Sequence, residues 1–235
     1  MNDMPPFAST GKTKRSAFTL IELLSVIAVI GVLTAILIPA LSGVREKGKQ
    51  VQCASNLRQL QAASMLYAND QGIYLPYTIN AGSSGGKVTG RTFWYQNPDF
   101  LAYLGGDKDS GSLVRKTMIC PTRGDIQSTS SDYVGGYSYG MNIQNIPGGW
   151  STVGESGVNP VKLERPAEKM AFADGADMFI LMYASKAYVQ EQYYQHAIAY
   201  RHNGKANVVH FDGSVSTLAK EDIVANVDLW DLSRR

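Results

Sequence analysis

A single carboxylate, Glu22, stands inside the otherwise apolar run of "KRSAFTLIELLSVIAVIGVLTAILIPA", residues 14–40. An acid placed in hydrocarbon costs on the order of 3 kcal/mol, so one that is kept there has a partner and a task. If the chain is cut between Ala17 and Phe18, the new α-amino group of Phe18 is a cation four residues before Glu22, about one helical turn away. In an assembled bundle that amine can neutralise Glu22 of the adjacent copy and so register one subunit against the next. Lys14 and Arg15 lie just ahead of the cut. The chemistry on offer is ion pairing between copies.

Other reactive groups are few. Cys53 and Cys120 are the two cysteines; they permit one disulfide if the globular part lies outside the cytoplasm, and are otherwise two buried thiols. Metal ligation by two isolated cysteines with no histidine close in sequence is not expected. His196, His202 and His210 are the three histidines, and no G-x-S-x-G or H-E-x-x-H pattern accompanies them. No enzyme is expected. His202 and Asp212 sit beside two tight-turn dipeptides, Asn203-Gly204 and Asp212-Gly213. A strand between those turns holds them roughly 20 Å apart, so His202 and Asp212 serve separate turns.

The elements that position these groups follow from hydropathy and charge. Phe18 to Ile38 holds one charge in 21 residues, enough helix to cross about 30 Å of hydrocarbon. Residues 1–17 carry Lys12, Lys14 and Arg15 against Asp3 and account for the whole net charge of +2. Basic residues on that side alone keep the N-terminus cytoplasmic and send the C-terminus across the inner membrane in a single pass. The neutral remainder has no basic stripe for nucleic acid. Past Pro39, the residues Cys53, Leu57, Leu60, Ser64 and Tyr67 recur at helical spacing on one face, with Arg45, Lys49, Gln52 and Arg58 mainly on others. One helix is therefore expected over residues 18–72, transmembrane over about 18–38 and amphipathic beyond. Pro39, Gly43 and Gly48 should bend or loosen it.

Residues 73–235 read as an extracytoplasmic, β-rich globular domain. A short helix is expected over Pro98–Leu104, and a strand over Met170–Ala173. A three-stranded antiparallel meander is expected over about 197–202, 206–211 and 214–218, with a short helix in "EDIVANVDLW". The fold class is α+β: a long N-terminal helix packed on a small antiparallel sheet. Phe93, Trp94 and Tyr95 suit the core better than a carbohydrate platform. That platform, or Trp150, is the basis of an alternative function, a membrane-anchored module binding a glycan or an envelope partner.

The stretch "KRSAFTLIELL" resembles a type IV prepilin-like leader: basic residues, a small residue, Phe, and an acid four positions on. The resemblance implies cleavage after Ala17 by a prepilin peptidase and N-methylation of Phe18. Ala17 stands where the family strongly prefers Gly. His202, nine residues, then Asp212-Gly213 resembles the H-x9-DG element that accompanies prepilin-type leaders. The implied fold is pilin-like. The implied function is that of a structural pilin or pseudopilin subunit of a type II secretion-like or type IV pilus-like filament, with other such subunits and an inner-membrane assembly platform as partners. No cofactor is expected. Related pseudopilins can hold calcium in C-terminal loops, and Asp174, Asp177 and Asp212 could supply oxygen ligands, but the dense carboxylate spacing of a calcium loop is absent.

Overall fold

A computed structural model of the chain describes residues 19–74, 78–80, 83–84, 87–88, 91–105, 119–123, 138–145, 158, 160–190 and 196–233. The chain divides into two compact units, Met1–Val44 and Arg45–Arg235. Helix α1, Leu20–Gln71, contributes residues to both and stays helical through Pro39, Gly43 and Gly48.

In the first unit the apolar side chains of α1, among them Leu20, Ile27, Leu33 and Ile38, are exposed. By length and composition α1 is apolar enough to cross a membrane. Its start is fixed locally: Thr19 N and Thr19 Oγ1 both donate to Glu22 Oε2 at 2.9 Å, and Glu22 N donates to Thr19 Oγ1 at 3.4 Å. This is the capping box T-x-x-E, which satisfies backbone donors that the first turn leaves orphaned.

In the second unit, the rest of α1 packs on the sheet through the face its spacing predicted. Cys53, Leu57, Leu60 and Ser64 are fully buried, and Tyr67 nearly so. Full burial of a leucine such as Leu57 stabilises by about 1.5–3 kcal/mol relative to exposure. Polar side chains fix the contact: Asn56 Nδ2 donates to Tyr139 Oη at 3.0 Å, and Gln61 Nε2 to the Phe211 carbonyl at 2.9 Å. The helix ends at Gly72, whose φ of +73° suits a residue without a Cβ.

Beyond α1 come β1 (Thr78–Asn80), β2 (Ser83–Ser84), β3 (Lys87–Val88) and β4 (Arg91–Phe93), which pair as β1 with β4 and β2 with β3. Helix α2 (Pro98–Tyr103) starts at Asn97, whose Oδ1 accepts from the Asp99 and Phe100 amides. The main sheet comprises β5 (Tyr139–Asn142), β6 (Met170–Asp174), β7 (Phe179–Ile180), β8 (Lys205–His210) and β9 (Val215–Ala219), in the order β7-β5-β6-β8-β9. Helix α3 (Met182–Ala187) follows β7, while α4 (Lys220–Ala225) and α5 (Val227–Trp230) follow β9. The fold is α+β.

Two apolar clusters lie among the described residues. One joins the α1 face to Trp94, Phe172 and Val209; the other joins Met170, Ala173 and Val208 to Ile223, Leu229 and Trp230 of the terminal helices. Adjacent Val208 and Val209 belong to different clusters because successive strand residues point to opposite faces. Strand β6 is buried along its whole length, which explains its unbroken small-apolar sequence.

Three expectations are corrected. The sheet is mixed rather than antiparallel, because β7 pairs with β5 in parallel. Residues 197–202 form no strand: β6 takes the place beside β8 that they were to fill. The segment instead makes isolated contacts, with Ala199 N donating to the Asp174 carbonyl and Ile198 bridging Gly175. The predicted terminal helix is two helices, divided at Asn226, whose side chain caps α5.

Gly175, just past the end of β6, lies close against Gly140 of β5. A Cβ there would stand 2.5 Å from Gly140 N and 2.7 Å from the Asp177 carbonyl oxygen. Both are backbone atoms and cannot swing aside. Gly175→Ala is expected to destabilise the second unit by about 1–3 kcal/mol, read from chemical denaturation; an unchanged midpoint would contradict this packing.

Candidate functional site

The N-terminal site is built on the first turn of α1. Lys14, Arg15, Ala17 and Phe18 lie outside the described residues. Glu22 is described, and both hydrogen bonds that its carboxylate accepts go to Oε2. The capping box therefore orients the carboxylate at the head of the helix, and among the described residues Oε1 accepts no hydrogen bond. Sequence reasoning missed this cap, which the T-x-x-E spelling of residues 19–22 could have revealed; it gives Glu22 a task within its own chain.

A second constellation lies in the interior of the second unit. Cys53 on α1 and Cys120 form a disulfide, with Cα atoms 5.1 Å apart across 67 residues of chain. It ties the segment around Cys120 to the helix. Against it stands His202, whose Nε2 is 3.9 Å from Cys120 Sγ and 3.1 Å from Asp174 Oδ2. Asp174 is wholly buried at the end of β6, and its Oδ2 also accepts from the Asn207 amide at 2.7 Å. His202 reaches this place through a two-residue turn. His202 and Lys205 exchange both backbone hydrogen bonds, and Asn203 and Gly204 have φ of +54° and +76°, the geometry that makes Asn-Gly the favoured pair. Sequence reasoning found the turn and missed the partner, because Asp174 lies 28 residues earlier, at the end of β6.

The other end of the H-x9-DG element is a surface turn. Asp212 Oδ1 accepts from Ser214 N at 2.9 Å and from Ser214 Oγ at 2.7 Å, and Gly213 has φ of +87°. As expected, Asp212 does not pair with His202. The Phe211 carbonyl in this turn is held by Gln61, whose Oε1 accepts from the Tyr74 hydroxyl at 2.5 Å. Burial pushes the Tyr74 phenol well above its ordinary range. The turn is therefore tied to α1 by a buried polar chain.

His210 makes the turn sensitive to pH. Burial holds its imidazole below the ordinary 6.5, against a smaller opposing pull from Asp212. A histidine depressed in the fold binds its proton more readily in the unfolded chain. Its stabilising contribution is thus complete above about pH 6.5 and declines as pH falls toward the folded value. The Ser214 hydroxyl holds the Asp212 carboxyl below its usual 3.8, so that contribution is lost only as pH falls further, through the folded pKa of Asp212. His210→Gln should flatten the loss of stability just below pH ~6.5, measured by denaturation at a series of pH values. An unchanged slope would exclude His210 as its source.

The three aspartates considered for calcium each have partners of their own. Asp177 Oδ1 accepts from the Met178 amide at 2.7 Å, and Oδ2 lies 2.6 Å from His196 Nδ1. Burial raises the Asp177 carboxyl despite these contacts. The group of metal-capable side chains that converges among the described residues contains Asp174 but neither Asp177 nor Asp212. The aromatic cluster takes the core role preferred for it over a carbohydrate platform. Trp94 and Tyr95 are each 2% exposed, and Trp94 Nε1 donates to the Met178 carbonyl at 2.7 Å. They are core residues. Trp150 lies outside the described residues.

Comparison with known proteins bears first on the class. Residues 12–38 match the prokaryotic N-terminal methylation motif, which covers Ala17, Phe18 and Glu22 together with most of the apolar run. That motif sits at the head of a helix long and apolar enough to cross a membrane. The chain is also similar to the type II secretion system core protein G of Aeromonas hydrophila: the two are 35% identical over 63 residues, 27% of this chain and 44% of that protein. The chain thus spans less than half the length of that relative. No solved structure matches it.

Proposed function

We propose that the chain is a structural subunit of a type II secretion-like or type IV pilus-like filament, stored in the inner membrane and clipped after Ala17 before assembly. The observation that carries this reading is the methylation motif at residues 12–38 on a helix whose large apolar side chains from Leu20 to Ile38, with Leu41 and Val44 beyond, are exposed in the single chain. Such a surface demands cover. Lipid covers it in the stored subunit, and the same face packs on neighbouring copies in the filament, so assembly exchanges one apolar environment for another. Head-to-tail contacts that do not close give a helical filament.

In this reading a prepilin peptidase frees and methylates Phe18, and the amine then pairs with Glu22 of a neighbour while Thr19 holds the carboxylate in place. The chain performs no catalysis of its own. The basic leader keeps residues 1–17 cytoplasmic, with the globular part outside. A platform in the inner membrane extracts the subunit and adds it to the base of the filament.

Labelling surface filaments with antibody against the second unit, in cells with and without the assembly machinery, tests the proposal. Machinery-dependent labelling along filaments is expected; a chain that stays monomeric in the membrane in both strains contradicts it. The leader offers a further test. Ala17→Gly restores the residue the peptidase family prefers and should accelerate leader removal several-fold in a pulse-chase. An unchanged rate would show that the cut does not depend on this position.

A further inference from the structure

Cys53, Cys120, Asp174 and His202 are all buried, and one donor atom from each lies within 4.8 Å of the others. They come from α1, the segment around Cys120, the end of β6 and the turn before β8, so the fold and not local sequence assembles them. We propose that reduction of the Cys53–Cys120 disulfide converts this cluster into a zinc site with two thiolate sulfurs, one imidazole nitrogen and one carboxylate oxygen.

The separations suit that ion. With Zn–N and Zn–O near 2.0–2.1 Å and Zn–S near 2.3 Å, neighbouring donors in a tetrahedral site stand roughly 3.3–3.8 Å apart. His202 Nε2 already lies 3.1 Å from Asp174 Oδ2 and 3.9 Å from Cys120 Sγ. The two sulfurs must part, which breaking their bond allows, and the wider pairs, which reach up to 4.8 Å, must close onto the ion. The polar inventory points the same way: Asp174 Oδ1 is buried with no hydrogen-bond partner among the described residues, an oxygen free to turn to a metal. Buried polar atoms are rarely left so.

The exchange also conserves charge. A dithiol reductant gives two electrons and two protons to the S–S bond and becomes a disulfide itself, leaving Cys53 and Cys120 as thiols. Zn2+ then binds both sulfurs as their two protons leave to solvent. His202 must offer an unprotonated Nε2 to the metal, with its ring proton on Nδ1. A neutral disulfide is replaced by a dication with two thiolates, and the interior gains no net charge to desolvate. Zinc suits the set because it favours mixed sulfur and nitrogen donors in a tetrahedron and is itself redox-inert. The consequence is a staple between α1 and the Cys120 segment that survives in reducing surroundings. This inference stands on the geometry of the second unit and is independent of the filament reading.

The test uses the full chain in detergent, reduced with a dithiol, desalted without oxygen and titrated with Co2+ as a spectroscopic probe. Reduced protein should bind one Co2+ with thiolate-to-metal charge transfer and the intense visible bands of a tetrahedral site, and Zn2+ should bleach them. Oxidised protein should show neither. His202→Ala should weaken binding more than the roughly tenfold typical of losing an outer partner. X-ray absorption on zinc-loaded wild type provides a readout that needs no variant: two sulfurs at about 2.3 Å with imidazole scattering. Absence of the cobalt bands, equal binding by His202→Ala, or a zinc shell without imidazole would each overturn the proposal.

Discussion

Glu22→Gln subunits are expected to insert and fold as wild type yet to assemble poorly. The amide can still accept from Thr19, since Gln serves at this position of a capping box, so the helix start survives. What is lost is the charge. Removing one partner of a buried ion pair costs about 3–5 kcal/mol, which lowers the association constant of each contact roughly 100-fold or more. Glu22→Val removes cap and charge together, and adds about 0.5–2 kcal/mol of lost capping to the same assembly defect. Filament yield and leader removal, followed side by side, separate the two roles. If Glu22→Gln filaments form as readily as wild type, Glu22 is a capping residue and the pairing between copies is wrong.

Loss of the disulfide is the second large effect. Replacing Cys53 and Cys120 by serine releases a constraint across 67 residues, which the loop-closure argument values at about 4 kcal/mol. For a unit of this size the melting temperature should fall by about 10 °C. Near-ultraviolet circular dichroism during heating, with a chelator present, reads the change without any contribution from metal. A loss below about 1 kcal/mol would mean that the packing of Cys53 and Leu57 holds this face of α1 without the bridge. The Gly175→Ala and His210→Gln results should be independent of this one, because neither residue touches the sulfurs.

The residues that were legible in the sequence owe it to short-range physics. Cys53, Leu57, Leu60, Ser64 and Tyr67 share a face because the helical repeat places them there, and all five are buried. Asn203-Gly204 and Asp212-Gly213 turn the chain because their backbone angles demand it. What stayed hidden depends on distant parts of the chain. The parallel partner of β5 is the two-residue strand β7, too short to announce itself. Residues 197–202 have strand-like composition, but β6 already occupies the edge of β8. His202 read as a turn residue because nothing near it in sequence reveals the carboxylate and the sulfur beside it.

Mass spectrometry of membrane-extracted protein, with sequencing of its first peptide, tests the central claim most directly. The account predicts a chain whose first residue is Phe18, methylated on nitrogen. Material still beginning at Met1 would carry no positive end for a neighbour's acid to meet, and would leave an anchored domain where a polymer subunit is claimed.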